Sequence, residues 1–397
     1  MSNSFYMGKL NDILEFKNGK AKKTNHGNIP IYGGNGVLGY CSDSNFENVL
    51  IIGRVGVYCG SVHIEESKCW ISDNAIAGLP KKSSYNYYNY YLLKSLQLNN
   101  KQVGSSQPLL TQDILNNIGV QIEFDKEKQK RLVASLLAID QKIELNNRIN
   151  AELEAMAKTL YNYWFVQFDF PNEEGKPYKS SGGKMVYNSI LKREIPEGWN
   201  VDRLQSYINF KRGISYKSNE ISDIKGKEFL NLNSFSLKGE FKIEGTKYFI
   251  GKYNQESLVS SGGLVVAITD VTRNADIIGK AFIVPNIFED GALISCDVVS
   301  ITSERLNKFY LEQLFNSTYY HSYIKYYASG TLVLHLNLNG INWFNAILPP
   351  VGLLNQFEEF CKPILKKKAV ILKENKQLIE LRDWLLPMLM NGQVTVK

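Results

Sequence analysis

The sequence lacks most of the motifs that would give it chemistry of its own. No GxxxxGK[ST] phosphate loop occurs, because every Gly-Lys pair is followed by Leu, Ala, Pro, Glu, Tyr or Met, so nothing supports a motor ATPase. The [DN]PP[FYW] tetrapeptide of amino-methyltransferases is absent, the one Pro-Pro pair being Pro349-Pro350 within ILPPVG, and methyl transfer is not expected of this chain. Histidine is scarce. His26, His63, His321 and His335 are scattered, with no HExxH and no cysteine cluster at metal spacing, so each is read as a structural histidine. No carboxylate pair stands out for acid-base or nuclease work. The five cysteines include no CxxC, and no secretory segment follows the polar start MSNSFYMGKL, which together predict a reducing cytoplasm. No apolar run approaches the ~20 residues of a membrane span. The GxGxxG at Gly34 to Gly39 follows a strand-like IPIY, but YCSDSNFEN after it is a poor helix former. Its glycines are therefore expected to serve tight turns rather than a dinucleotide.

What remains is a chain of 397 residues, 44% hydrophobic, enough for two or three cored domains. Its net charge of +7 favours a polyanionic partner, nucleic acid first.

The strongest feature is an internal repeat. Leu10, Phe16, Lys17 and Gly19 recur as Leu204, Phe210, Lys211 and Gly213, an offset of 194. NVLIIGRVGVYCGSVHI is echoed by GGLVVAITDVTRNADIIGKAFIV, and the Tyr-rich YNYYNYYLL by YLEQLFNSTYYHSYIKYY. At 85 to 91 and 319 to 327, helical spacing assigns these tyrosines to a core before any DNA contact. The turns Gly104-Ser105-Ser106 and Ser329-Gly330-Thr331 follow at an offset of about 226. An offset of 228 then superposes Asn147 on Asn375, Glu152 on Glu380, Leu153 on Leu381 and Met156 on Trp384. The growing offset predicts one scaffold used twice, with longer loops in the second copy.

The front of each copy alternates short β-branched or aromatic runs with Gly, Asn, Asp and Ser clusters, as strands joined by turns do. The back of each copy reads as one long helix. Leu132, Leu136, Ile139, Ile143, Leu153 and Leu160 keep a and d spacing, with Asn146 and Asn150 as polar members of the seam. A polar seam residue such as Asn150 is expected to help fix register. In the second helix Phe357, Ile364, Ile371, Leu378 and Leu385 stand seven apart, joined by Phe360, Leu381 and Met388. Two such stripes can bury each other in a coiled coil. The predicted fold class is α+β, two mixed α/β domains with two long antiparallel helices between them and a pseudo-two-fold repeat. The expected boundaries are 1–125, a helix 126–166, a Gly/Pro/Ser/Lys-rich linker 167–195, a second domain 196–352 and a second helix 353–397.

This order of parts resembles the specificity subunits of Type I restriction-modification systems. IPIYGGNGVLGY, IGRVGVYCG, SDNAIAG and GSSQPLLT look like one group of their target-recognition domains. GKMVYNSILKREIPEGW, KIELNNRINAELEAMAKTLYNYWF and LIELRDWLLPMLMNG look like their shared segments. The resemblance covers almost the whole chain. It implies a non-catalytic subunit with double-stranded DNA and two modification (methyltransferase) subunits as partners, two restriction subunits being a further partner that it allows. It also implies that S-adenosylmethionine, ATP and Mg²⁺ are bound by those partners and not by this chain. Expected DNA contacts are Lys20, Lys22, Lys23, Arg54, Ser106 and Gln107 in the first reader. Their counterparts are Lys211, Arg212, Lys217, Thr269, Arg273 and Thr331. Lysines would hold phosphates, whereas Arg and Gln can pair bidentately with guanine and adenine edges. AITDVTRNADIIGK departs from IGRVGVYCG, so the two half-sites are expected to differ. Two other readings compete: a self-sufficient DNA-modifying enzyme with an unrecognised site, and a coiled-coil scaffold without a nucleic-acid role.

Overall fold

The computed structural model describes residues 5–82, 84–101, 109–272 and 274–394. The chain forms two compact units, one of residues 1–145 with 376–397 and the other of 146–375.

In the first unit a six-stranded sheet runs in the order Leu14–Asn18, Ala75–Pro80, Phe46–Gly53, Val62–Ile71, Ile29–Gly33, Gly36–Cys41. Within strand Phe46–Gly53 the run from Val49 to Ile52 is apolar without a break because both of its faces are covered. Leu50 and Ile52 point into a core with Tyr88, Tyr91 and Leu92 of the helix Asn86–Ser95, while Val49 and Ile51 point the other way onto Cys69, Ile71 and Ala77. The GxGxxG segment is a hairpin, Gly33 pairing Gly36 across Gly34 and Asn35. Strands Phe5–Lys9 and Gly119–Glu123 form a separate antiparallel pair.

The second unit repeats this plan. Its four-stranded sheet Asn209–Arg212, Val298–Thr302, Leu264–Ala267, Ala281–Ile283 is antiparallel throughout. Leu264 and Val266 face one core, Val265 and Ala267 another. The registers agree residue by residue. Lys9 pairs Gly119 as Arg203 pairs Asn345, and Leu50 opposes Gly78 on the strand flanking Phe16 as Leu264 opposes Ile301 on the strand flanking Phe210. Gly19 and Gly213 explain one repeated glycine, since a Cβ there would lie 1.9 Å from the Ser72 carbonyl oxygen and 2.2 Å from that of Ser295.

Segment 167–195 is folded rather than extended: Phe170 stacks between Tyr178 and Trp199, and Met185–Asn188 pairs with Arg193–Pro196. Tyr88, Tyr91 and Tyr320 are buried as predicted, whereas Tyr319 and Tyr326 are exposed.

The long helices are Lys126–Tyr161, continued by a π turn Asn162–Val166, and Val351–Met390. Their pairing is antiparallel in each unit. In the first, Arg382 meets Asp140 at 3.0 Å, and the Tyr91 hydroxyl donates to the same carboxylate at 2.7 Å. In the second, Lys368 pairs with Glu154. Burial of Leu354, Phe357, Cys361, Ile371, Asn375 and Leu389 marks the heptad seam, from which Phe360 and Leu381 stand aside, 37% and 43% exposed. The polar register contact also differs from expectation. Asn146 donates to Asn375 at 2.8 Å and to Glu374 at 2.8 Å, and Asn375 donates to Asn147 at 2.9 Å. Asn150 has no such role, its buried side-chain oxygen being without a hydrogen-bond partner among the described residues.

Candidate nucleic-acid interface

The loops carrying the expected contacts are gathered at one end of each sheet by backbone hydrogen bonds. In the first unit Lys20 N–H donates to the Ile71 carbonyl, Arg54 N–H to that of Asn74 and Leu110 N–H to that of Arg54. Val55 bridges Leu109, so 19–20, 54–60, 72–74 and 109–110 meet there. The second unit makes the same set. Ile214 N–H donates to Ile294, Ile268 N–H to Asp297 and Leu336 N–H to Ile268.

The base of the central loop is also repeated. Gly53 N–H reaches the Ser61 carbonyl and Gly60 N–H that of Gly53, as Ala267 N–H reaches Lys280 and Gly279 N–H reaches Ala267. Between these matched anchors lie residues 54–59 in one copy and 268–278 in the other, so the second loop is five residues longer. The identical base and unequal span confirm that the second copy carries the longer loop here.

Lys20, Lys22, Lys211, Arg212, Lys217 and Thr331 are exposed. Lys23 is partly engaged, paired with Asp43 at 3.0 Å and 4.8 Å over the Trp70 ring. The Lys211 ammonium donates to the Glu256 carbonyl, and Arg212 Nε to that of Cys296 at 3.3 Å. Arg54 is half-buried, and its Nε has no partner among the described residues. Ser106, Gln107 and Arg273 lie outside the described residues.

Thr269 corrects the sequence reading. It is no loop residue but part of strand Thr269–Asp270, paired with His335 and only 3% exposed. The register makes Val55 its counterpart, and the counterpart of Arg54 is Ile268, fully within the core. Antiparallel pairing with His335, far away in sequence, is what buries this polar residue.

Sequence reasoning also passed over two polar groups beside the second cluster. Asp270 is completely buried and Lys280 is 7% exposed. Burial, with Lys158 and Lys325 nearby, brings the Lys280 ammonium down to about 8. Burial likewise lowers His321 to about 4, with Lys280 and Lys325 adding to the effect, so its ring is neutral near pH 7. Among the described residues no group of three His, Cys, Asp or Glu could hold a metal ion. Among the described residues no helix is long and apolar enough to cross a membrane.

Comparison with known proteins agrees with this architecture. Residues 4–155 match the Type I restriction modification DNA specificity domain. The chain is 27% identical over 346 residues to the Type I restriction enzyme MjaIX specificity subunit of Methanocaldococcus jannaschii, covering 80% of this chain and 71% of that protein. It is 25% identical over 329 residues to the HindI specificity subunit of Haemophilus influenzae, covering 72% and 71%. The crystal structure of the Type I restriction-modification S subunit from M. genitalium shares the fold, with a TM-score of 0.58 at 15% identity over 97% of this chain and 96% of that one. Repeat, paired helices, loop clusters and relatives converge: residues 4–155 match the Type I specificity domain, and most of the chain is similar to Type I restriction enzyme specificity subunits.

Proposed function

We propose that this chain reads a bipartite, asymmetric DNA target and holds the catalytic subunits of a Type I complex, without carrying out chemistry itself. One observation carries the reading: each unit has a sheet of matching register with a loop cluster at its equivalent end, and the loops differ in length and side chains. Equal scaffolds with unequal loops support two half-sites of different sequence. Exposed Lys20, Lys22, Lys211 and Lys217 suit phosphate contacts, which set position, whereas Arg54 and the residues of the longer loop suit base edges. The antiparallel helices carry the shared segments on which two modification subunits would dock. S-adenosylmethionine, ATP and Mg²⁺ would be bound by the partner subunits.

Methylation-site sequencing in a host carrying the chain and its modification subunits tests this. The expected motif has two unlike halves about one helical turn apart, ~10 base pairs centre to centre. Exchanging residues 1–120 for another reader of the family should change one half alone, and Arg54→Ala should relax that same half by about 1 to 3 kcal/mol. A continuous or palindromic motif, or a change in both halves, would overturn the reading. Turnover by the pure chain with DNA, S-adenosylmethionine, ATP and Mg²⁺ would favour a self-sufficient enzyme instead.

A further inference from the structure

The longer loop of the second reader is built around one carboxylate. Asp270 is completely buried and both of its oxygens are used. Oδ1 accepts from Thr272 N–H at 2.6 Å, and Oδ2 accepts from Ile277 N–H at 2.7 Å and Ile278 N–H at 3.2 Å. These bonds join the start of the loop to its end. Thr272 adds an inner closure, its hydroxyl oxygen accepting from Asp276 N–H at 2.9 Å, and Ala275 turns the chain at φ +53°. The Asp270 backbone pairs with Leu334 in strand Leu334–Leu336, which continues from the loop bearing Thr331. One residue therefore ties together both loops of this cluster.

The loop has a clear inside and outside. Ala275, Ile277 and Ile278 are buried in the adjoining cores, while Val271 is 64% exposed and Asn274 is exposed. The two outward side chains carry complementary chemistry. A carboxamide can pair bidentately with N6 and N7 of adenine, and a branched apolar group can cover the thymine methyl, so together they match one A·T pair in the major groove. Among the described residues the first reader has no equivalent device. Its register counterpart to Asp270 is Gly56, in a loop too short to need a central acceptor.

We infer that Asp270 is the positioning residue of the second reader, holding Asn274 and Val271 outward to read an A·T base pair of the second half-site. A buried carboxylate accepting three N–H donors fixes a loop far more firmly than neutral contacts do, since such bonds are about twice as strong as neutral ones. Asp270→Asn keeps the shape but can accept on one side only, so the loop start and loop end are no longer clamped together.

This inference rests on the proposed function, and the wild-type complex is its control: if wild type shows no two-part motif, that broader reading fails first. With wild type established, methylation-site sequencing is run on complexes carrying Asn274→Ala and Asp270→Asn. Both variants should relax the same A·T pair of the second half-site, losing roughly 10- to 100-fold in discrimination there, with the first half-site intact. A purely structural aspartate would instead lower methylation at all sites without changing the motif. That result, an unchanged motif in Asn274→Ala, or relaxation at a G·C pair would overturn the inference. Asn274→Ala alters only an exposed side chain, so the test stands even if Asp270→Asn fails to fold.

Discussion

Replacing Asn375 by alanine should loosen the helix pair of the second unit by about 2 kcal/mol. Asn375 is 6% exposed and Asn146 1% exposed, and the alanine removes the acceptor of one of the two Asn146 N–H groups. A buried donor left without a partner costs about 1 to 3 kcal/mol. The second lost bond, to the exposed Asn147, is replaced by water and adds about 0.5 kcal/mol. Better helix propensity returns roughly 0.5 kcal/mol. Asn146 keeps its bond to Glu374, which is why the figure is not larger. The double replacement Asn146→Leu/Asn375→Leu removes both polar partners and fills the seam, so it should be close to wild type in stability while losing the contact that fixes register. Urea unfolding followed by tryptophan fluorescence, on wild type, Asn375→Ala and the double variant, decides. An alanine variant within 0.5 kcal/mol of wild type, or a double variant less stable than the single, would show that these asparagines do not set the pairing.

A pH effect should arise at Glu154, where burial and the Glu240 carboxyl hydrogen-bonded to it raise the pKa to about 7 against the pull of Lys368. The folded state then holds this proton more tightly than the unfolded chain, so the contribution is full below the ordinary carboxylate range and is lost as pH rises through about 7. Glu154→Gln should flatten the decline in thermal midpoint between acid and mildly alkaline buffer, and an unaltered slope would refute the assignment. Gly213→Ala should destabilise the second unit by about 1 to 3 kcal/mol, because its methyl would meet the Ile294 and Ser295 carbonyl oxygens at 2.2 Å; a wild-type melting curve would refute the close approach. If helix length sets the unspecified spacer of the DNA target, four residues inserted between Asn150 and Leu153 add about 6 Å and 40° of turn, part of it absorbed as a stutter. Methylation sequencing should then show both half-sites unchanged and a spacer longer by about one or two base pairs at ~3.4 Å each, whereas an unchanged spacer at full activity would exclude the helices as its determinant.

The sequence alone determined the features that depend on local periodicity and on repetition. Heptad spacing located both long helices, short apolar runs between turn residues marked strands, and the recurring Gly19 and Gly213 mark a backbone contact used twice. Periodicity reports which face of a segment is apolar, but not which distant segment covers it. That choice belongs to long-range pairing, and it is where the reading of the candidate interface went astray. Thr269 is polar and stands next to Asp270, as a loop residue would, yet pairing with His335 buries it. Asn150 and Asn146 were equivalent on the helical pattern, and only the register against Asn375 separated the bonded asparagine from the one whose side-chain oxygen is without a described partner. Asp270 offered no motif at all. Its importance comes from backbone N–H groups two, seven and eight residues further on, which point at one carboxylate only after the loop has closed on a core supplied by other strands.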